Sequence, residues 1–424
     1  MRSAPIALES SPAIVAPMAN TSPQALEGVT VLDLSRILAG PWASQLLGDL
    51  GATIIKIERP GAGDDTRSWG PPFAVDDIGK TTDAAYFLAA NRNKRSVAID
   101  ISTREGATLI KKLAAKADIL LENFKTGSLK KYGLDYGSLR MTNPRLVYCS
   151  ITGFGQTGPY KDRPGYDFMI QAMGGAMSIT GQPDGEPTRA GISIADLFSG
   201  MYAATAMLAA LRHAERTGEG QHIDVSLFDC QISALANQAS NYLISGETPQ
   251  RLGNAHPNLS PYQVFETASA HIVVAVGNNT QFAEFCNAIG LPALATDPRF
   301  QKSCDRIANR ETLVPLIAKQ MKQKTSAIWL EMFEGAGVPA GPINTIDEAF
   351  KDPQAIARKM TVELNREGEP PQNYTPHPVK YSRTQPPAGN APPALSADTD
   401  LVLQQSLSLS DDEIEALRKQ GVIG

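Results

Sequence analysis

The stretch RAGISIADLFSGMYAATAML, residues 189–208, is small and apolar almost throughout, yet it contains Asp196. A carboxylate in such surroundings costs free energy unless it is paired or hydrogen-bonded. Two roles fit this one. As the N-cap of the Ala-rich helix that follows, Asp196 would accept orphan backbone N–H groups. The same helix terminus would stabilise it as an anion, and a shielded aspartate can also act as a covalent nucleophile. Asp167, in PGYDFMIQAMGG, has the same two readings.

A second set of chemistry-bearing residues is basic: Lys56, Arg59, Arg67, Arg92, Lys94, Arg95, Lys130 and Lys131. Several stand at strand ends or in the loops that follow, the edge of an open α/β sheet where ligands bind. IERPGAGDDTR and NRNKRS therefore read as anion-contacting loops, against the commoner fate of Lys and Arg as solvated surface charge. GFGQTG (153–158) matches a dinucleotide-loop pattern, but Pro159 and Pro164 follow where a helix should open, so a tight loop is expected instead. Neither a GxxxxGK[ST] loop nor a GxSxG elbow occurs. Four cysteines lack CxxC spacing and only five histidines exist, so neither a metal site nor structural disulfides are expected.

The elements that must position these residues alternate. GVTVLDLS (28–35), TIIKIERP (53–60), KRSVAIDI (94–101) and DILLENF (118–124) read as strands, and NPRLVYCSITGFG brings another. GPWASQLLGDLGA (40–52) and TREGATLIKKLAAKA (103–117) read as helices between them. This order argues for a parallel α/β sheet covered on both faces. Residues 194–215 form a long helix, and from about Gly253 a smaller unit begins with a hairpin in YQVFETASAHIVVAVGN and continues in helices to about Asp352. The expected organisation is a flexible tail over 1–25, a large α/β domain over 26–250, a small α+β domain over 253–352, and a Pro-rich strap with a C-terminal return over 353–424. The last helix, in SDDEIEALRKQGVI, has Ser410 as N-cap and Gly421 after its final turn.

The 424-residue chain is 42% hydrophobic and 20% charged, with a net charge of −5. That composition fits a globular protein and argues against a broad nucleic-acid footprint. No uninterrupted apolar run has membrane-spanning length, and the N-terminus lacks the pattern of a secretory leader. The expectation is a cytoplasmic protein without nucleic-acid or membrane partners.

Taken together, LEGVTVLDLSRILAGPWASQLLGDLGATIIKIERPGAGDDTR, NRNKRSVAIDI, ADILLENF, NPRLVYCSITGFGQTGPY, GYDFMIQAMGG, ADLFSGMYA, TGEGQHIDVSLFD, GVPAGPINTIDEAFKDPQ and LSDDEIEALRKQGVI resemble the class III CoA-transferases, the group of formyl-CoA transferase and carnitine CoA-transferase. The resemblance implies a doubly wound, Rossmann-like large domain, a smaller domain, and a homodimer of interlocked chains. It implies CoA and acyl-CoA as substrates with no permanent cofactor, and Asp196 as the catalytic aspartate of the AD-x-x-SGM position. It places Arg59, Lys94, Arg95, Asn123, Phe124 and Lys131 near the nucleotide and pantetheine, Lys131 standing where some members have Arg. It places Leu38 in the substrate pocket, where formyl-CoA transferase has a polar residue, and matches Gly277, Asn278 and Asn279 to a shielding loop of the small domain. Arg36, Arg189, His256 and Tyr262 are candidate acid-binding groups. The related α-methylacyl-CoA racemases pair an aspartate at the Asp167 position with an upstream histidine, and no histidine precedes His213 here. Transfer between small acids, closest to the succinyl-CoA and glutarate type, is thus expected; the rivals are an acyl-CoA racemase and a non-catalytic CoA-binding protein.

Overall fold

The computed structural model describes residues 23–424; nearly all of the tail expected over 1–25 lies outside the described residues. Six strands form one parallel sheet: β1 (Thr30–Asp33), β2 (Thr53–Glu58), β3 (Lys94–Ala98), β4 (Ile119–Glu122), β5 (Val147–Thr152) and β6 (His222–Ser226). Their order is β3-β2-β1-β4-β5-β6, every pair parallel. This is the doubly wound arrangement, and its direction reverses between β1 and β4. Loops leaving the carboxyl ends of those two strands diverge there and open a crevice.

Strand alternation sorts the core into two layers. Val31, Ile54, Ile119, Leu121 and Cys149 face α1 (Ala39–Asp49) and the long helix Ile194–Thr217, meeting Ala43, Leu47, Ala203, Met207 and Leu211. Leu32, Ile55, Val97 and Leu120 face the other way, onto Leu109, Ile110 and Leu113 of α2 (Arg104–Ala114). Val402, Leu403, Ile414 and Ile423, from the end of the chain, belong to that second layer. On the way there, residues 390–399 cover the outer edge of β3: Asp398 and Thr399 accept from the N–H groups of Ser96 and Ala98. An edge that would otherwise expose unpaired backbone is closed. The terminal helix Asp411–Lys419 is capped by Ser410 in a reciprocal box with Glu413, as the sequence predicts.

With α3 assigned to Asp167–Met173, the long helix is α4. By length and composition α4 could cross a membrane, contrary to the reading from uninterrupted runs: Asp196 and Arg212 break the run, but the helix as a unit stays apolar. Of its most apolar window 44% is buried inside the protein, and Ala195, Ser199, Ala203, Met207, Ala210 and Ala214 form its buried stripe. It is a core helix here. Its close approach to α1 depends on Gly200, where an added Cβ would lie 2.7 Å from the Ala39 carbonyl oxygen.

A separate cluster surrounds a three-stranded antiparallel sheet of Tyr262–Glu266, His271–Ala275 and Ala340–Pro342. Phe265, Ile272, Val274, Phe282, Phe285, Trp329 and Phe333 fill it.

Candidate active site

Two cavities open along the carboxyl edge of the sheet, of about 300 and about 400 Å³. The inner one is lined by Arg36–Ala39 after β1, Asn123–Thr126 after β4, Gly153 after β5, residues 161 and 163–167, and Asp196. The outer one is lined by Arg59, Gly63, Ile99, Ile101, Ser128, Leu129, Lys131 and Tyr132. Arg36 and Phe124 line both, so the two form one path. The guanidinium of Arg36 lies 5.5 Å from the centre of the Phe124 ring.

Asp196 sits in the first turn of α4, but it is not the N-cap: that position belongs to Ser193, whose side chain makes no capping bond. The cap comes from another helix. Asp167 Oδ1 accepts from the Ala195 N–H at 2.9 Å, one of the orphan donors of the α4 terminus. The sequence reading fell three residues off because a carboxylate in the first turn and one at the cap both favour the helix start. The rest of AD-x-x-SGM is accounted for locally. Ser199 Oγ donates back to the Ala195 carbonyl at 2.7 Å, and Gly200 admits α1.

Asp196 is half-buried. Burial, and then the negative charge of Asp167, push its carboxyl up to about 7. Among the described residues no side chain or backbone N–H donates to it. Tyr86 belongs to the same patch: burial raises its hydroxyl above the usual range against a hydrogen bond with Ser193, and the Asp196, Asp167 and Asp64 charges add to the rise.

The loop after β1 is fixed from beneath. Ile37 adopts φ 73°, an unusual conformation for a β-branched residue. Its N–H donates to the Asp64 carboxylate at 3.2 Å, and Lys56 Nζ bridges Asp64 and the Ser35 carbonyl, both at 2.9 Å. Asn123 grips the preceding residue at two points, accepting from the Arg36 N–H at 2.8 Å and donating to its carbonyl at 2.6 Å.

Of the residues expected at the site, Asp196, Leu38, Asn123 and Phe124 come together in the inner cavity, and Phe124, Arg59 and Lys131 in the outer. The amide of Asn123 is engaged by backbone. Lys94 does not reach either cavity: its ammonium is fully enclosed, held by Asp33 at 3.3 Å, Asn91 and the Pro41 carbonyl. Arg95 lies on the edge strand, toward Gln405 at 3.4 Å. Gly277, Asn278 and Asn279 line neither cavity within one chain; Asn278 caps the helix Asn279–Ala288, and Asn279 accepts from Arg306. Of the acid-binding candidates only Arg36 lines the inner cavity; Arg189 lies over Phe168, and His256 packs on Tyr262. The broader reading of the basic cluster also changes. Lys56, Arg67, Arg92 and Lys94 are not solvated charges but buried partners of Asp64, Glu58, Asp49 and Asp33, and of the four only Lys56 lines a cavity, the outer one.

Lys125, Lys161 and Arg163 line the inner cavity as well and went unremarked in the sequence. Their signal was weak, since each stands in a polar loop. GFGQTG does form a loop without a following helix: Gly153 packs directly on Gly165, where a Cβ would meet backbone at 2.5 Å.

A doubly wound α/β fold that presents an unpaired carboxylate at its switch point, beside a cation-lined path, defines an enzyme architecture. Residues 26–399 match CoA-transferase family III, and the chain belongs to that family. It is 48% identical to the succinate–glutarate CoA-transferase of Agrobacterium fabrum over 392 residues, 91% of this chain and 98% of that one. It is 41% identical to the succinyl-CoA:glutarate CoA-transferase of Homo sapiens, covering 94% of this chain and 90% of that one. A solved CaiB/BaiF family protein from Brucella suis superposes with a TM-score of 0.80 at 46% identity, over 91% of this chain and all of the other. The protein is a CoA-transferase, with CoA thioesters as substrates.

Proposed function

We propose that this CoA-transferase moves CoA between two small dicarboxylic acids, of the succinate and glutarate type, with Asp196 as covalent nucleophile. One observation carries the reading. Asp196 is a carboxylate on the inner cavity to which nothing described donates a hydrogen bond, while Asp167 beside it has both oxygens engaged. The names of the relatives support the acid class.

The chemistry balances in four steps. The Asp196 carboxylate attacks the donor thioester carbonyl, the C–S bond breaks, and a mixed anhydride forms with release of CoA thiolate. The thiolate attacks the aspartyl carbonyl, expelling the donor acid as its carboxylate and leaving an aspartyl-CoA thioester. The acceptor carboxylate attacks that thioester, forming a new anhydride and freeing the thiolate. The thiolate attacks the acceptor's acyl carbon, which restores Asp196 and releases the new acyl-CoA. A carboxyl group near 7 is more basic than an ordinary carboxylate and keeps a large anionic fraction at neutral pH. Arg36, Lys125, Lys161 and Arg163 supply positive charge for the acids. Arg59 and Lys131 supply it for the CoA phosphates, beside the apolar Ile99, Ile101 and Leu129.

A racemase would need a proton-shuttling pair, and no histidine lines either cavity. The homodimer implied by the sequence is part of the proposal: Leu243, Ile244, Met201 and Ile192 are 78, 88, 54 and 60% exposed in the single chain, apolar side chains that a second copy could cover. Light scattering should give twice the chain mass.

The test is an assay of succinyl-CoA against a panel of acids, with products identified by mass spectrometry. Asp196→Ala should reduce transfer by roughly 10³-fold or more. Hydroxylamine should convert Asp196 to a hydroxamate only when acyl-CoA is present. Substantial transfer by Asp196→Ala would sink the mechanism.

A further inference from the structure

Asp167 and Gln171, one helical turn apart on α3, both turn toward the segment that leads into α4. Asp167 is 7% exposed and Gln171 fully buried. Asp167 Oδ1 accepts from the Ala195 N–H at 2.9 Å, and its Oδ2 accepts from Gln171 Nε2 at 2.8 Å. Gln171 Oε1 accepts from the Ala190 N–H at 2.9 Å, and Nε2 also points to the Ile192 carbonyl at 3.4 Å. Two side chains thus hold three backbone points across residues 190–195. Asp196 is the next residue.

We propose that Asp167 is a positioning residue for the transfer reaction: with Gln171 it clamps the entry to α4, fixes the direction of the Asp196 carboxylate, and holds a second negative charge beside it. This rests on Asp196 being the nucleophile.

The geometry leaves Asp167 poorly placed to react itself. Both its oxygens are occupied, and its partners are backbone and amide groups that neither titrate nor leave. Without it, the α4 terminus would have no side-chain cap, since Ser193 provides none. The second charge has a chemical consequence as well. A like charge nearby disfavours ionisation, and the Asp167 carboxylate follows burial as a cause of the elevated Asp196 carboxyl. The other charged or titratable groups around the spot are Arg36, Lys125, Lys161, Arg163 and Tyr166 from the cavity wall and Tyr86 from the helix Ala85–Ala89, and none of the cations offsets the rise at Asp196. None of the four cations is hydrogen-bonded to Asp196.

Clamp and charge can be separated by two variants of the full-length enzyme. Asp167→Asn keeps an acceptor for Ala195 but removes the charge and the match to Gln171. Gln171→Met keeps the charge and breaks the clamp. Both should lower kcat by about tenfold or more, since small displacements of a reacting group are costly. Only Asp167→Asn should also move the acid limb of the kcat/KM profile, to lower pH by about one unit. Loss of fold alone would lower the melting temperature without moving the limb, and if Asp167→Asn does not fold, Gln171→Met still tests the clamp. Wild-type kcat in Gln171→Met, or a wild-type limb in folded Asp167→Asn, overturns the proposal. The Asp196→Ala control keeps the two ideas apart: if that variant retains transfer, the nucleophile is wrong. If it is dead while Asp167→Asn matches wild type, only the positioning role fails.

Discussion

The two halves of the parallel sheet treat buried charge in opposite ways. Around β1, β2 and β3, each buried cation meets an anion: Lys56 with Asp64 at 2.9 Å, Lys94 with Asp33 at 3.3 Å, Arg67 with Glu58 at 2.6 Å, and Arg92 with Asp49. Burial alone would raise the carboxyls of Asp33, Glu58 and Asp64. The ammonium, guanidinium and hydroxyl groups around them outweigh it, and all three fall below the usual range. Around β4 and the start of α4, the buried Glu122 and the half-buried Asp196 lack a cationic partner among the described residues, and both are pushed up to about 7, chiefly by burial. One half pairs its charge to hold shape, although burial still pulls the Lys94 ammonium down to about 7. The other keeps carboxyl groups poised near neutrality, where small changes in surroundings alter protonation. The halves meet at residues 35–38, where Lys56 and Asp64 on the paired side hold the loop that lines the reactive cavity.

Breaking the paired half should have the largest effect. Lys56→Met removes the partner of Asp64 and leaves a buried anion, at a cost of about 3–5 kcal/mol. The urea midpoint measures it. The same half predicts the acid limb of stability. Asp64 titrates at about 2 in the folded chain against 3.8 as its ordinary value. Its contribution is therefore complete above about pH 4 and lost as pH falls toward 2. A wild-type urea midpoint that does not fall between pH 4 and 2 would contradict it.

The unpaired half should show the reverse sign. Glu122 titrates at about 7 when folded, against 4.5. The folded state therefore binds the extra proton, and ionising it costs stability as pH rises from about 4.5 through 7. Glu122→Gln removes that cost. Its gain over wild type should grow from almost nothing near pH 4 to on the order of 2 kcal/mol at pH 8. A gain independent of pH would mean that Glu122 is not held neutral.

This division was only partly legible in the sequence. Strand and helix order was readable because a buried parallel sheet needs continuous apolar runs, and TIIKI and DILLEN supply them. Asp196 was readable because a carboxylate in an apolar stretch demands a reason. The basic residues of the first third were not, since Lys56 and Lys94 look like surface charges until the fold brings Asp64 and Asp33 against them. Asp33 and Lys94 are 61 residues apart, and nothing local marks the pair. Asp167 was noticed as a rival to Asp196; that it caps the helix carrying Asp196 depends on a 28-residue return of the chain.

A smaller effect links function and stability at Asp196 itself. Asp196→Asn should lose transfer yet become more stable at pH 8, by about 1 kcal/mol once its partial exposure is allowed for. The gain should shrink toward pH 3, where the carboxyl is largely protonated in both states. Melting curves at the two pH values decide it. A destabilised Asp196→Asn would show that the carboxylate is favourably held and would erase the contrast between the halves.

The smallest effect concerns the pair that stands between them. Arg36 Nη1 donates to Asp65 at 3.0 Å, with both side chains more than a third exposed. Such a pair contributes no more than about 0.5 kcal/mol, so Asp65→Asn should leave the melting temperature nearly unchanged. It should nevertheless alter catalysis, because Asp65 competes with an incoming acid for the Arg36 guanidinium at the junction of the two cavities. With that competitor gone, KM for the acceptor acid should fall about two- to threefold at low ionic strength, and kcat should stay the same. The difference should shrink in 0.5 M salt, where exposed charges more than about 4–5 Å apart are largely screened. An unchanged KM at low salt would mean that Arg36 does not receive the acid. A large loss of stability would mean that Arg36 and Asp65 belong with the buried pairs after all, and that the boundary between the two halves lies further out along the β1 loop.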